Sequence, residues 1–117
     1  MKKTLIILPT LNEARNIQKL YILINNLKLD LTYLFIDHGS SDGTQEIIKR
    51  LKKQNPNKNF IIQKKIREGI GKAHKDGLNW AYKKKYKLII TMDTDFAHHP
   101  RYILNLLNKV KNSDLVV

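Results

Sequence analysis

Short apolar runs alternate with amphipathic stretches along this chain, and this alternation limits the fold more than any other feature of the sequence. Runs rich in β-branched residues occupy positions 4–8, 32–36, 60–62 and 88–90, and such runs are typical of buried strands. After the first run, apolar residues recur at helical spacing at Ile17, Leu20, Tyr21, Ile24 and Leu27. Strands that alternate with helices predict an α/β fold with a mostly parallel sheet flanked by helices.

The sequence also indicates where the helices begin and which faces they bury. Asn12 is predicted to cap the first helix, with Glu13 in its first turn. A helix over 72–84 is predicted to pack closely on the sheet through a small-residue face of Ala73, Gly77, Leu78 and Ala81. The other predicted elements are a helix carrying Ile47, Ile48 and Leu51, a helix begun by Pro100, and the start of a fifth strand at 114–117.

Length and composition limit the classes of protein to be considered. The chain has 117 residues, which predicts a single domain over 1–117. It has no cysteine, which excludes disulfides and thiolate metal sites and favours a cytoplasmic protein. The net charge of +12 favours anionic partners such as nucleotides or membrane lipids. Nucleic acid is not a predicted partner, because the lysines are scattered and no nucleic-acid-binding motif occurs.

Two carboxylates follow the apolar run at 88–90. Asp93 and Asp95 are two positions apart, so an extended chain directs both to one side. The two carboxylates repel each other unless a cation or a sugar hydroxyl engages them, and a hard ion such as Mg²⁺ or Mn²⁺ is the natural guest. The alternative is a loop aspartate that caps the next helix, because short motifs of this kind are often fortuitous.

Charged and glycine-rich segments fall at the ends of several predicted strands. Asp37 precedes the turn HGSSDG at 38–43, Lys64 and Arg67 precede Gly69, and Asp93 begins the acidic pair. The carboxyl ends of parallel strands meet at one edge of a sheet, where ligands bind in open α/β folds. That edge would offer carboxylates for a metal and a ribose, and cations and backbone N–H groups for phosphates. The combination predicts a site for a nucleotide diphosphate.

Four ordered motifs resemble those of family-2 glycosyltransferases with the GT-A fold. They are PTLNE at 9–13, IDHGSSDGT at 36–44, GIGKA at 69–73 and MDTDFAHHP at 92–100. The resemblance covers essentially the whole chain and is closest to the branch of dolichyl-phosphate mannose synthases and polyprenyl-phosphate glycosyltransferases. It implies a Rossmann-like nucleotide-sugar-binding domain, and its members continue beyond the length of this chain, so the fold is expected to be incomplete at its C-terminus.

The resemblance also implies roles for particular residues. The donor nucleotide would contact Asp93 and a larger set of residues, namely Pro9, Thr10, Glu13, Asp37, Lys64, Arg67 and Gly71. Asp93 and Asp95 would be the catalytic pair that holds Mg²⁺ or Mn²⁺. The donor would be a GDP- or UDP-linked sugar, transferred with inversion to a lipid phosphate or a glycan acceptor. Contact with the cytoplasmic face of a membrane follows from a lipid acceptor.

The chain departs from the family pattern at three points. His38 stands where many members have a second aspartate, and Ala97 stands where some lipid-phosphate mannosyltransferases have glutamine. His98 or His99 is a candidate substitute metal ligand, with a helix-cap role before Pro100 as the alternative. The third point is length: the acceptor half that members of the family carry after the fifth strand is expected to be absent. The unfinished strand that starts at 114 would then leave an exposed sheet edge, at which a second copy or a partner subunit could associate.

Two other functions are compatible with parts of the sequence. A haloacid-dehalogenase-type phosphatase also places an Asp-x-Asp pair after a strand, but on its first strand and with Thr or Val where this chain has Ala97. The stronger alternative is a non-catalytic nucleotide-sugar-binding remnant, or a half-protein that needs a partner. It is considered because the acceptor half, which this chain is expected to lack, bears directly on activity.

Overall fold

A computed structural model describes residues 4–64 and 70–92, with the side chain of Ile70 excepted. Four strands alternate with three helices in this part of the chain. In chain order they are β1 (Thr4–Thr10), α1 (Ile17–Asn25), β2 (Leu31–His38), α2 (Thr44–Gln54), β3 (Asn59–Lys64), α3 (Ile70–Lys83) and β4 (Leu88–Thr91). The predicted α/β class is confirmed.

The sheet has the strand order β3-β2-β1-β4, and every neighbouring pair is parallel. The register pairs Thr4 of β1 with Leu31 of β2 and with Leu88 of β4. From β1 the chain forms β2 and then β3 on one side, and it then returns to the other side of β1 to form β4. The order therefore reverses between β1 and β4, and ligands bind beside the carboxyl ends of the strands at such a point.

Each face of the sheet carries its own apolar core, because successive strand residues point to opposite faces. On one face, strand residues such as Ile6, Leu8 and Phe35 pack with α1 and α2 through Ile17, Leu20, Ile24, Ile48 and Leu51. On the other face, Leu5, Ile7, Leu34 and Ile36 pack with Ala73 and Ala81 of α3. The helices α1 and α2 thus cover one face, and α3 covers the other.

The small-residue face predicted for α3 is confirmed at three positions and wrong at one. Ala73 and Ala81 are buried, and Gly77 lies against Ile7 and Ile36. Leu78 is 46% exposed, because it follows Gly77 by about 100° of helical rotation and so faces away from the sheet.

The predicted start of α1 is also wrong. Asn12 has a left-handed backbone with φ 55°, and α1 begins at Ile17 with Asn16 as its N-cap residue. Glu13 precedes the helix in a turn, where its carbonyl oxygen accepts hydrogen bonds from the N–H groups of Asn16 and Ile17. The side-chain oxygen of Asn12 is bound to a neighbouring loop instead, so it is not available as a cap.

Other predictions fall on residues that the structure does not describe. The helix after Pro100 and the strand over 114–117 lie outside the described ranges. Within 4–64 and 70–92, no helix combines the length and the apolar character needed to cross a membrane.

Candidate functional site

Asp37 is the most enclosed polar group at the carboxyl end of β2. It is fully buried, and the chain's own donors occupy both of its carboxylate oxygens. Its Oδ1 accepts hydrogen bonds from the hydroxyls of Thr10, at 2.8 Å, and Ser40. Its Oδ2 accepts from the Ser40 N–H at 3.1 Å and from Gln45 Nε2 at 2.8 Å. A carboxylate buried with four donors is well satisfied, and it ties β1 to the turn after β2.

The Ser40 hydroxyl links this carboxylate to the loop after β1. While it donates to Asp37, it accepts a hydrogen bond from the backbone N–H of Asn12 at 2.8 Å. Asn12 Oδ1 in turn accepts from the N–H of Ser41 at 2.9 Å. The left-handed backbone of Asn12 and of Gly39, with φ 55° and 83°, brings the two loops into this arrangement. Asparagine and glycine are the residues that adopt that conformation most readily.

A second pair of contacts joins the same two loops near the start of α2. The Thr44 hydroxyl donates to Asp42 Oδ1 and accepts from the N–H of Glu13 at 2.9 Å. Asp42 Oδ2 accepts from the N–H of Ala14 at 3.1 Å. The loops that follow β1 and β2 are therefore held together by side-chain hydrogen bonds. These bonds fix the positions of the two loops relative to each other at the carboxyl edge of the sheet.

The Asp42 carboxylate is stabilised in its ionised form. Slight burial disfavours the charge, but hydrogen bonds from the Thr44 hydroxyl and from the backbone of Ala14 and Thr44 outweigh that effect. The pKa of Asp42 is therefore lowered from its ordinary value. Asp42 Oδ1 also accepts from the N–H of Thr44 at 3.1 Å, which satisfies a donor at the amino end of α2.

The structure brings four of the predicted donor-binding residues to one edge of the sheet. Pro9 and Thr10 end β1 and are buried, and Asp37 lies beside Thr10 in the register of β1 with β2. Lys64 is the last residue of β3 and pairs with His38 across the strands. Its side chain is half-buried.

Glu13 and Gly71 lie just beyond the strand ends. Glu13 is half-buried in the loop after β1, where its carboxylate accepts a hydrogen bond from Asn16 Nδ2 at 3.3 Å. Gly71 is exposed in the first turn of α3, with open space where a Cβ would be. A backbone with no side chain over it permits close approach of a ligand.

The predicted metal ligands lie outside the described residues. These are Asp93, Asp95 and His98, and the same is true of Arg67. The described chain ends one residue before Asp93, and the N–H of Met92 donates to the carbonyl of Ile7 at 3.1 Å, which continues the β4 ladder. Within the described ranges, no group of three or more His, Cys, Asp or Glu residues could hold a metal ion.

His38 occupies the opposite face of the sheet from Asp37. Its side chain is 5% exposed and lies 3.7 Å, Nε2 to Oδ2, from Asp76 of α3. Asp76 Oδ1 forms an ion pair with Lys72 Nζ at 3.2 Å. His38 therefore contacts α3 on the face away from the Asp37 network, and it does not share the environment of Asp37.

Sequence reasoning missed Asn12, Ser40, Gln45 and Asp76 as parts of this region. A signal existed for Ser40, because it lies in a small-residue turn directly after an aspartate, and aspartate side chains commonly accept local hydrogen bonds in turns. Gln45 and Asp76 reach Asp37 and His38 only because α2 and α3 pack against the sheet, and spacing in the sequence carries no sign of this.

The sequence profile described as glycosyl transferase family 2 matches residues 5–117. Among curated proteins, the polyprenol monophosphomannose synthase of Mycolicibacterium smegmatis is 28% identical over 99% of this chain and 44% of its own length. The undecaprenyl-phosphate mannosyltransferase of Micrococcus luteus is 26% identical over 98% of this chain and 47% of its own length. The chain thus spans less than half the length of these relatives.

A solved structure shares the fold. A mannosyltransferase from Pyrobaculum calidifontis, solved in complex with GDP-Man and Mn²⁺, aligns over 92% of this chain and 32% of its own with a TM-score of 0.69 and 23% identity. The parallel sheet described above therefore has the GT-A architecture that the motifs predicted. Taken with the profile match over nearly the whole sequence, this shows that the chain belongs to glycosyltransferase family 2.

Proposed function

We propose that this chain forms the donor-binding part of a glycosyltransferase that moves a hexose from a nucleotide-diphosphate sugar to a polyprenyl phosphate. The two curated relatives are named for mannosyl transfer to polyprenol carriers, which favours mannose as the sugar. GDP-Man is the donor in the P. calidifontis complex, which favours GDP over UDP.

One observation carries the proposal. The carboxyl ends of four parallel strands meet at one edge, and the strand order reverses there between β1 and β4. Asp37, Lys64 and the segment that leads into Asp93 all fall at this edge. Binding beside the carboxyl ends of strands at such a reversal is the general rule for open α/β sheets.

The residues divide by the chemistry that each can supply. Thr10, Glu13 and Asp37, together with Pro9, lie beside the region proposed for the base and the ribose. The Asp37 carboxylate has four protein donors, so part of its contribution is to hold the two loops in place. Lys64 and Arg67 supply positive charge for the diphosphate, and the bare backbone at Gly71 permits close approach.

Asp93 and Asp95 are the residues proposed to hold a divalent cation, with His98 as a further candidate ligand. Hard carboxylate oxygens suit both Mg²⁺ and Mn²⁺, and Mn²⁺ accompanies the donor in the related structure. A cation bound there would offset the charge that develops on the departing nucleoside diphosphate.

The transfer itself requires one displacement at the anomeric carbon. An oxygen of the acceptor phosphate forms the new bond as the bond to the donor's diphosphate breaks, which inverts the configuration. The lipid phosphate is anionic at neutral pH, so the step needs no strong general base from the chain. The net charge of +12 would favour approach to an anionic membrane surface, which supports the proposal of a reaction at the cytoplasmic face.

Calorimetric titration of the 117-residue chain with GDP-mannose and UDP-glucose, with and without Mn²⁺, tests the donor site. We expect saturable binding of one donor that depends on the metal and is lost in Asp95→Asn. A matched control is Asp30→Asn, because Asp30 is a surface carboxylate with a side chain 67% exposed. Folded protein that binds neither donor in the presence of Mn²⁺ would refute the proposal.

Transfer is tested separately with radiolabelled donor and a short-chain polyprenyl phosphate. Product formation that requires Asp95 supports the transferase. Metal-dependent donor binding without transfer assigns to this chain the donor-binding role alone, which is the remnant or half-protein alternative.

A further inference from the structure

His38 and Asp76 form a polar contact inside an otherwise apolar interface between α3 and the sheet. His38 ends β2, and its ring faces α3 with 5% of the side chain exposed, while the side chain of Asp76 is 15% exposed. Around them the interface is built from residues such as Ile7, Ile36 and Ala73. Charged and polar side chains are seldom placed in such surroundings unless they engage each other or a ligand.

Among the residues that the structure describes, neither ring nitrogen of His38 nor Oδ2 of Asp76 has a hydrogen-bond partner. Buried polar atoms without partners are destabilising, and each such case in a folded protein calls for an explanation. The separation of 3.7 Å from Nε2 to Oδ2 is too short for a water molecule to lie between the two atoms. A movement of less than about 1 Å makes it a direct hydrogen bond, so the two groups can satisfy each other.

The contact lies close to the amino end of α3. Asp76 Oδ1 holds Lys72 Nζ at 3.2 Å on the preceding turn, and α3 begins at Ile70, so Gly71 lies in its first turn. On the sheet, His38 is paired with Lys64, the last residue of β3. The pair therefore joins the carboxyl end of β2, beside the end of β3, to the first turns of α3.

We propose that His38 and Asp76 are positioning residues for the diphosphate of the donor. They do not touch the ligand. Their contact fixes the first turns of α3, with Gly71 and Lys72, relative to the carboxyl ends of β2 and β3. This inference rests on the proposed function, because it concerns the affinity of the same donor site.

A double-mutant cycle tests the pair. The variants are His38→Gln, Asp76→Asn, the double substitution, and the exchange His38→Asp with Asp76→His. We expect each single substitution to raise the donor Kd about tenfold, equivalent to about 1.4 kcal/mol. The double substitution should be no worse than either single one, because the partners act as a unit, and the exchange should restore most of the affinity.

The surface pair formed by Asp30 and Lys58 provides the matched control. These side chains are 67% and 47% exposed at a separation of 3.9 Å, so Asp30→Asn should leave the donor Kd unchanged. Circular dichroism and the urea midpoint of every variant show whether it is folded. If His38→Gln does not fold, the near-isosteric Asp76→Asn decides the question alone.

Two results would overturn the inference. One is a donor Kd unchanged in folded Asp76→Asn. The other is additive losses in the cycle with no recovery in the exchange variant, which would mean that the two residues act independently. Failure of the wild-type chain to bind any donor would instead refute the proposed function and the positioning role together. Wild-type binding with unaffected variants refutes the positioning role only.

Discussion

Substitution of Gly77 by alanine tests how closely α3 approaches the sheet. A Cβ at this position would lie 2.7 Å from Cδ1 of Ile36, 2.9 Å from Cγ2 of Ile7 and 3.1 Å from Cδ1 of Ile7. Both isoleucines are fully buried. The Ile36 methyl ends a flexible side chain, but Cγ2 of Ile7 is fixed to a β-branched carbon whose rotation is restricted. The helix or the strand must therefore shift.

The expected loss of stability is the difference between two terms. Overpacking of a well-packed core costs about 1–3 kcal/mol, whereas replacement of glycine by alanine inside a helix stabilises it by about 1 kcal/mol. Because the contacts come from two strands and include a restricted methyl group, we expect a net loss of roughly 1–2 kcal/mol. For a domain of this size, that loss lowers the melting temperature by roughly 3–12 °C.

Urea unfolding followed by circular dichroism and by the fluorescence of Trp80, the single tryptophan, measures this loss. Gly71→Ala is the matched control, because it is in the same helix and the position that its Cβ would take has no neighbouring atom within 4 Å. It should be neutral or stabilising by up to about 1 kcal/mol. When the unfolding free energies of the two variants are compared, the gain in helix propensity from alanine largely cancels. The remaining difference measures the cost of overpacking at Gly77. A Gly77→Ala variant as stable as Gly71→Ala would refute the close approach of α3.

Three further predictions concern stability around the site. Asp37→Asn should lose about 1–3 kcal/mol in urea unfolding, because an amide nitrogen would face a hydrogen-bond donor in a buried position; unchanged stability would mean that the carboxylate is not held as described. Folding lowers the pKa of Asp42. Ionised Asp42 therefore stabilises the folded state above the pKa that the residue has in the unfolded chain, and this stabilisation is lost as the pH falls through the pKa of the folded state. Asp42→Ala removes an exposed acceptor of hydrogen bonds from Ala14 and Thr44, so it should lose about 0.5–1 kcal/mol at neutral pH and show a weaker acid dependence below about pH 4; a parallel dependence in both proteins would contradict this. Tyr33→Phe removes the 2.7 Å hydrogen bond from the buried hydroxyl to Asn25 Oδ1 and should lose about 1 kcal/mol, whereas a more stable variant would show that the bond contributes nothing.

The hydroxyl groups of two tyrosines in the core, Tyr33 and Tyr21, both form hydrogen bonds. Burial, and to a lesser degree the nearby Tyr21, raises the pKa of Tyr33, and its hydroxyl donates a hydrogen bond to Asn25 Oδ1. Tyr21 accepts a hydrogen bond from Asn59 Nδ2 at 2.9 Å. The polar ends of both rings are thus satisfied at the margin of an apolar core, as buried tyrosines require.

The strands and the sheet class were predictable because apolar patterning reflects burial directly. A run such as residues 5–8, in which every residue is buried, occurs only where both faces of a strand are covered. Element ends were less predictable, as Asn12 shows. Asparagine favours a cap, but it also adopts the left-handed backbone, and the contact with Ser41 in another loop decided between these two local preferences.

The amino-acid sequence alone determined the α/β class, the alternation of strands and helices, and the family. The first two follow from the spacing of apolar residues, and the family follows from contiguous motifs. Strand alternation already directs the neighbouring residues Asp37 and His38 to opposite faces of the sheet, and the tertiary structure alone decided which groups they meet there. Asp37 is bound by Thr10, Ser40 and Gln45, whereas His38 faces Asp76. The physical reason is that hydrogen-bond partners are chosen by proximity after packing, and residues that are far apart in sequence become neighbours only when the helices cover the two faces of the sheet.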